Sequence, residues 1–255
     1  MPIPEMNLRG RLIALCLAPP VLASVLASGA NADIVTLGEL QHGTLYESTG
    51  GEQANGLGQY FFAGNNNQGR ARRGLLAFDL APLENLNIQI NSVTLRLYCS
   101  QENSGLQDIS VHRVTSDWGV GSSDAPGNEG GGTAATPDSA TWNYAFFDSV
   151  AWNNAGGDFV SAASATTTVD AVGWYEWSDN GLAADLEAWL AGNDGAFGWE
   201  FLGDETSNGT TKRFDSGLGP NGDRHPELIV DYTVIPTPAS CIALLGLACR
   251  SRRRR

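Results

Sequence analysis

Ile90-Asn91-Ser92-Val93-Thr94-Leu95-Arg96-Leu97-Tyr98 is the stretch that decides the fold. From Val93 onward apolar residues alternate with others, so Val93, Leu95 and Leu97 share one face and Thr94 and Arg96 the opposite one. A period of two marks a strand with one buried side, whereas a helix would repeat every 3.6 residues. Cys99 continues the apolar face and reads as a buried or edge thiol.

Working outward, strand-like runs recur at short intervals: Thr44-Leu45-Tyr46, Tyr60-Phe61-Phe62, then residues 74–80, 109–114, 166–172, 174–177, 197–202 and 228–232. Turn-forming clusters separate them, as in Gly64-Asn65-Asn66-Asn67-Gln68-Gly69 and Gly219-Pro220-Asn221-Gly222-Asp223. One helix is expected. Asn180 can cap it, Leu182, Leu186, Trp189 and Leu190 share a face, and Gly192-Asn193 can end it. Residues 119–139, rich in Gly, Ser, Ala and Pro, predict a mobile surface loop. Together these features predict an all-β domain over residues 33–233, a jelly-roll-type β-sandwich with one short helix.

Both ends differ from this body. Arg9 and Arg11 precede an apolar run over residues 12–27, and Ala30-Asn31-Ala32 offers a small-x-small cleavage site. This is the layout of a secretory signal peptide over residues 1–32, with Ala30 and Ala32 at the cleavage site. Residues 234–255 form a second signal-like segment, with Pro236-Thr237-Pro238, an apolar run over residues 239–249, and a basic end in Arg252, Arg253, Arg254 and Arg255. Eleven apolar residues rise about 16 Å as a short helix, against about 30 Å of membrane core. Transient membrane contact is therefore expected, with the arginines stopped on the cytoplasmic side.

Charge narrows the partners. The whole chain carries a formal −13, and removing both ends leaves 27 acidic and 8 basic residues, about −19. Such a balance argues against nucleic acid and anionic lipid. Cys99 is the only cysteine of residues 33–233, so no internal disulfide is expected there.

Two resemblances follow from motifs. The Pro-Thr-Pro, apolar and arginine-rich C-terminus resembles the PEP-CTERM sorting signal of exported bacterial proteins. That likeness implies recognition by an exosortase-type membrane enzyme, although Thr237 stands where the family usually carries Glu. The body resembles DNRLRE-domain proteins, many of which look like carbohydrate-binding modules. The ordered blocks that carry this likeness include Thr44-Leu45-Tyr46-Glu47-Ser48, Arg73-Gly74-Leu75-Leu76-Ala77-Phe78-Asp79-Leu80, residues 90–98 and Val111-His112-Arg113-Val114. Asp117-Trp118-Gly119, Ala140-Thr141-Trp142-Asn143, Lys212-Arg213-Phe214-Asp215-Ser216 and His225-Pro226-Glu227-Leu228-Ile229-Val230 complete the series. His42-Gly43 stands where an acidic residue often precedes the first block.

Chemistry-bearing motifs are sparse. His42, His112 and His225 show no zinc-ligand spacing, and no Gly-x-Ser-x-Gly elbow occurs. No catalytic or metal-ligating set is therefore assigned. Asp79 and Asp204-Glu205 are the carboxylates considered for a glycosidase pair. No cofactor is expected, though the Asn and Asp clusters at residues 65–67, 179–180 and 221–223 leave room for structural calcium. Seven tryptophans offer either core or sugar-stacking surface. Trp189 and Trp199 fit the core, while Trp142 and Trp152 are the expected glycan-stacking pair. The sequence thus predicts an exported, non-enzymatic cell-surface or matrix module that meets the export machinery, a sorting enzyme and an extracellular polysaccharide. A polysaccharide hydrolase and a purely structural envelope protein are the alternatives.

Overall fold

The computed structural model describes residues 32–236. Of the signal residues, Ala32 and Pro236 fall inside this range, while Ala30, Thr237, Pro238 and Arg252 to Arg255 lie outside it. The first strands are β1 (Ala32–Tyr46), β2 (Gln53–Ala54), β3 (Tyr60–Asn65), β4 (Ala71–Phe78), β5 (Ile88–Glu102), β6 (Gln107–Arg113) and β7 (Thr133–Ala134). They are followed by β8 (Tyr144–Phe146), β9 (Val150–Ala151), β10 (Ala165–Val169), β11 (Gly173–Trp177), β12 (Trp199–Leu202), β13 (Lys212–Asp215) and β14 (Glu227–Val234). The helix α1 (Asn180–Leu190) stands between β11 and β12. Among the described residues the fold is all-β with this one short α-helix, as the alternating runs predicted.

The sandwich expectation is corrected. Ten strands form one barrel-like sheet, in the order β1-β14-β5-β13-β3-β4-β12-β6-β10, with β11 beside β5. The sheet closes because β1 also pairs with β4. Residues 32–38 of β1 run antiparallel to β14, and residues 39–46 run antiparallel to β4, with an irregular register between Glu39 and Gln41. A bulge of this kind bends and twists a strand, so one long strand can turn the corner between two faces. β3 turns the opposite corner, pairing with β13 over Tyr60–Ala63 and with β4 at Gly64 and Asn65. Gly64 has φ +110°, and an added Cβ would stand 2.9 Å from the Thr210 carbonyl oxygen, so glycine is required where β3 switches partner.

The core follows the period-two pattern. Leu95, Leu97 and Cys99 of β5 are buried against Phe61, Phe201, Phe214, Trp177 and Trp199. Two of this core's buried indoles have satisfied N–H groups: Trp177 donates to the Ile109 carbonyl at 2.8 Å, and Trp199 to Asp185 Oδ2 at 2.8 Å, whereas Trp189 Nε1 has no partner among the described residues. α1 packs on β5 and β10 through Leu182, Leu186 and Trp189. Its cap is Asp179 rather than Asn180, and Gly192 follows it at φ +69°.

Residues 119–139 also depart from expectation. Ser123, Ala125, Glu129 and Ser139 are buried, and β7 pairs with β2. With residues 140–159 this excursion covers the outer face of β1 and β4. A second apolar cluster lies there, containing Leu45, Leu75, Ala77, Trp118 and Trp152. Composition suggested a loop, but the other face of the sheet here is apolar too and has to be covered.

Candidate functional site

The turn between β3 and β4 organises itself around one side chain. Asn66 Oδ1 accepts from the backbone N–H groups of Gln68 (2.9 Å) and Arg70 (3.0 Å). This is how Asn builds a tight turn, and Gly69 at φ +70° completes it. The turn is tied to residues 205–211: Gly209 N–H donates to the Asn66 carbonyl at 3.1 Å, and Asn65 Nδ2 to the Glu205 carbonyl at 3.2 Å.

Glu129 builds the facing wall. Its carboxylate accepts from Asn55 Nδ2 (2.8 Å) and from the backbone N–H groups of Gln59 and Tyr60 (3.1 Å each). Its carbonyl accepts from the Tyr46 hydroxyl at 3.0 Å. Asn128 is thereby held beside the turn. A third wall comes from the loop between β5 and β6, where Glu102 Oε2 accepts from the N–H groups of Ser104 (3.0 Å) and Gly105 (2.7 Å) and pairs with the buried Lys212 at 3.2 Å. Hydrogen bonding to Gly105 and Lys212 lowers the pKa of Glu102.

These walls enclose a groove with two adjoining lobes that share Asn66, Asn67 and Gly130. The narrower lobe, about 150 Å³, adds Phe62, Gln101, Asn103, Asn128, Thr211 and Arg213. The wider one, about 440 Å³, adds Glu47, Ser48, Gln53, Gln68, Arg70 and Arg72. Primary amides both donate and accept, so this lining matches a ligand rich in hydroxyl groups.

The charge of the groove is equally distinctive. Among the described residues, Arg70, Arg72, Arg213 and Arg224 make no ion pair, whereas Arg73, Arg96, Arg113 and Lys212 do. Three of those four unpaired guanidinium groups line the groove, against a single carboxylate, Glu47. Arg72 lies over the Tyr46 ring, 5.0 Å from its centroid, and donates to the Gly130 carbonyl at 3.0 Å. Burial lowers its pKa from the ordinary guanidinium value. Arg213 lies over the Tyr60 ring, 3.9 Å from its centroid, and donates to Ser100 Oγ at 3.1 Å. A larger depression elsewhere, about 490 Å³, is lined by Asp108 and Asp204 and carries no cation.

A second cluster centres on Arg73, which lies between the rings of Trp142 (5.0 Å) and Phe159 (5.5 Å). Its Nε and Nη2 grip both oxygens of Glu205 at 2.7 and 2.8 Å, and Nη1 donates to the Gly156 carbonyl at 2.8 Å. Glu200 lies 3.7 Å from Nη1, is 0% exposed, and neither of its oxygens has a hydrogen-bond partner among the described residues. Burial holds its carboxyl well above the ordinary carboxylate range.

The stacking residues expected from sequence are placed differently. Trp152 is 6% exposed and donates its indole N–H to the Thr141 carbonyl at 2.9 Å, so it is a core residue and no sugar platform. Trp142 is half-buried, with Arg73 over its ring. Of the considered acids, Asp79 is exposed and binds the Ala81 N–H at 3.0 Å, and Glu205 is held by Arg73. Hydrogen bonds from Thr206 lower the pKa of Asp204 to about 2. His42 faces Glu39 and the Gly58 carbonyl, His112 the Val160 carbonyl and Ser110, and His225 the Gly219 carbonyl. No group of three or more His, Cys, Asp or Glu able to hold a metal ion occurs among the described residues. The groove itself escaped the sequence reading because its Asn and Gln residues look like turn chemistry. The signal available was the run Asn65-Asn66-Asn67-Gln68 followed by Arg70.

Comparison with known proteins adds no identity: no family model matches the chain, and no curated protein matches it.

Proposed function

We propose that this protein is an exported cell-surface or matrix module that binds a polysaccharide in the groove between the β3–β4 turn and the Glu129 wall. The amide lining with three guanidinium groups that make no ion pair carries the reading. Amides suit sugar hydroxyls, and the guanidinium groups suit a sugar bearing carboxylate or sulfate. The motif order resembles that of DNRLRE modules, and that resemblance points to the same class of ligand. Export rests on the signal-peptide pattern ending at Ala32. Sorting rests on Pro236-Thr237-Pro238 and the terminal arginines, with an exosortase-type enzyme as the expected partner. Mass spectrometry of surface-recovered protein should find a mature form cut near Pro236. A form still ending in Arg255, in cells holding the sorting enzyme, refutes processing.

Asn67 and Asn128 are exposed lining residues, which makes them clean probes of the groove. Binding of the parent, Asn67→Ala and Asn128→Ala should be measured on immobilised polygalacturonate, dextran sulfate and neutral dextran. Each substitution should weaken binding roughly tenfold, in line with the loss of about one hydrogen bond to a charged or polar ligand group. Polygalacturonate against dextran sulfate tells carboxylate from sulfate. If both variants bind all three polymers like the parent, the groove is not the site.

A further inference from the structure

Arg213 lines the groove and also reaches β5. Arg213 donates to Ser100, which lies on the outward face of β5. Two residues back along that face stands Tyr98, about 7 Å away at strand spacing. The Arg224 guanidinium lies over the Tyr98 ring, 4.3 Å from its centroid. Trp174 of β11 meets the same ring edge-on at 5.5 Å. Arg96, the third cation of this face, is already committed, lying over Trp174 and pairing with Glu227 at 3.0 Å and Glu176 at 3.6 Å. Arg224 has no such partner among the described residues, and it is the one unpaired cation that the groove does not contain.

We infer that Arg224 on Tyr98 is a second anchoring point for an acid-bearing chain that leaves the groove past Arg213 and continues over the outer face of β5. This rests on the groove reading above and extends it. A guanidinium held over an aromatic ring has already lost much of its rotamer freedom, and N–H groups not turned to the ring stay free for a carboxylate or sulfate. Arg213 and Arg224 then bind separate acid groups along one chain. Affinity must therefore rise with chain length once the chain reaches Arg224.

The test is calorimetric titration of the exported protein with oligogalacturonates from dimer to octamer. The parent should bind the octamer more tightly than the dimer. Arg224→Gln should leave dimer affinity unchanged and weaken the octamer about tenfold, the worth of one charged hydrogen bond. Tyr98→Leu, which removes the platform and keeps the cation, should act in the same direction. Arg213→Gln should weaken every length. If Arg224→Gln keeps the parent's length dependence, the second anchor is wrong and the groove stands. If the parent binds no length at all, the groove reading falls, and the anchor with it.

Discussion

Glu200 is sealed under Gly157, whose missing Cβ would stand 2.2 Å from Oε2. The charged groups around it are Arg73, Glu205 and Asp158. Because burial raises its pKa, the folded state keeps a proton that the unfolded chain releases near the ordinary carboxylate value of about 4.3. The stability from this group is therefore complete below that value and is lost as pH rises toward the raised folded value. Glu200→Gln, which stays neutral, should melt like the parent at pH 4 and at a higher temperature at pH 8. An equal difference at both pH values would show that titration of Glu200 is not the cause. Trp152 tests burial at the same scale. Trp152→Ala should cost about 3–5 kcal/mol in denaturant unfolding, as for other buried aromatics. A near-neutral result would return Trp152 to the surface.

At the scale of elements, the groove depends on a segment that composition marks as loose. Glu129 ties residues 119–139 to Asn55, Gln59 and Tyr60 through its carboxylate, and it does so at φ +62°. Glu129→Ala leaves the buried Asn55 amide and two part-buried backbone donors without this partner, a loss of about 1–3 kcal/mol for the buried group. Hydrogen exchange across residues 119–139 should accelerate, and polygalacturonate binding should fall with it. If exchange there stays at the parent rate, the carboxylate does not anchor the wall. Cys99 shows the opposite situation on β5. It is buried, and burial pushes its thiol up to about 11, so it is poorly reactive in the folded domain.

For the molecule as a whole, far field and contact field oppose each other. A body of about −19 repels an acidic chain at long range, while Arg70, Arg72 and Arg213 attract it at contact. Screening reaches about 10 Å at 0.1 M salt and acts first on the far field. The association rate for polygalacturonate should therefore rise between very low salt and about 0.1 M, the reverse of ordinary steering between opposite charges. Stopped-flow measurements across that range decide it. A rate that falls steadily with salt would place the ligand in a field more positive than this groove provides.

The sequence by itself determined the local matters: the period-two strands, the helix over Asn180–Leu190, the buried Trp189 and Trp199, and the buried Cys99. Each follows from spacing within a few residues. Tertiary structure alone decided that β1 and β3 turn corners and close the sheet, because a bulge and a positive φ act through strand pairings far apart in the chain. It also decided that Trp152 faces inward and that three separated segments bring their amides, and a fourth its hydroxyl, to one groove. Asn66, Asn103, Asn128 and Thr211 are neighbours only through long-range pairing. A turn-forming Asn and a ligand-facing Asn look the same until the chain around them is folded.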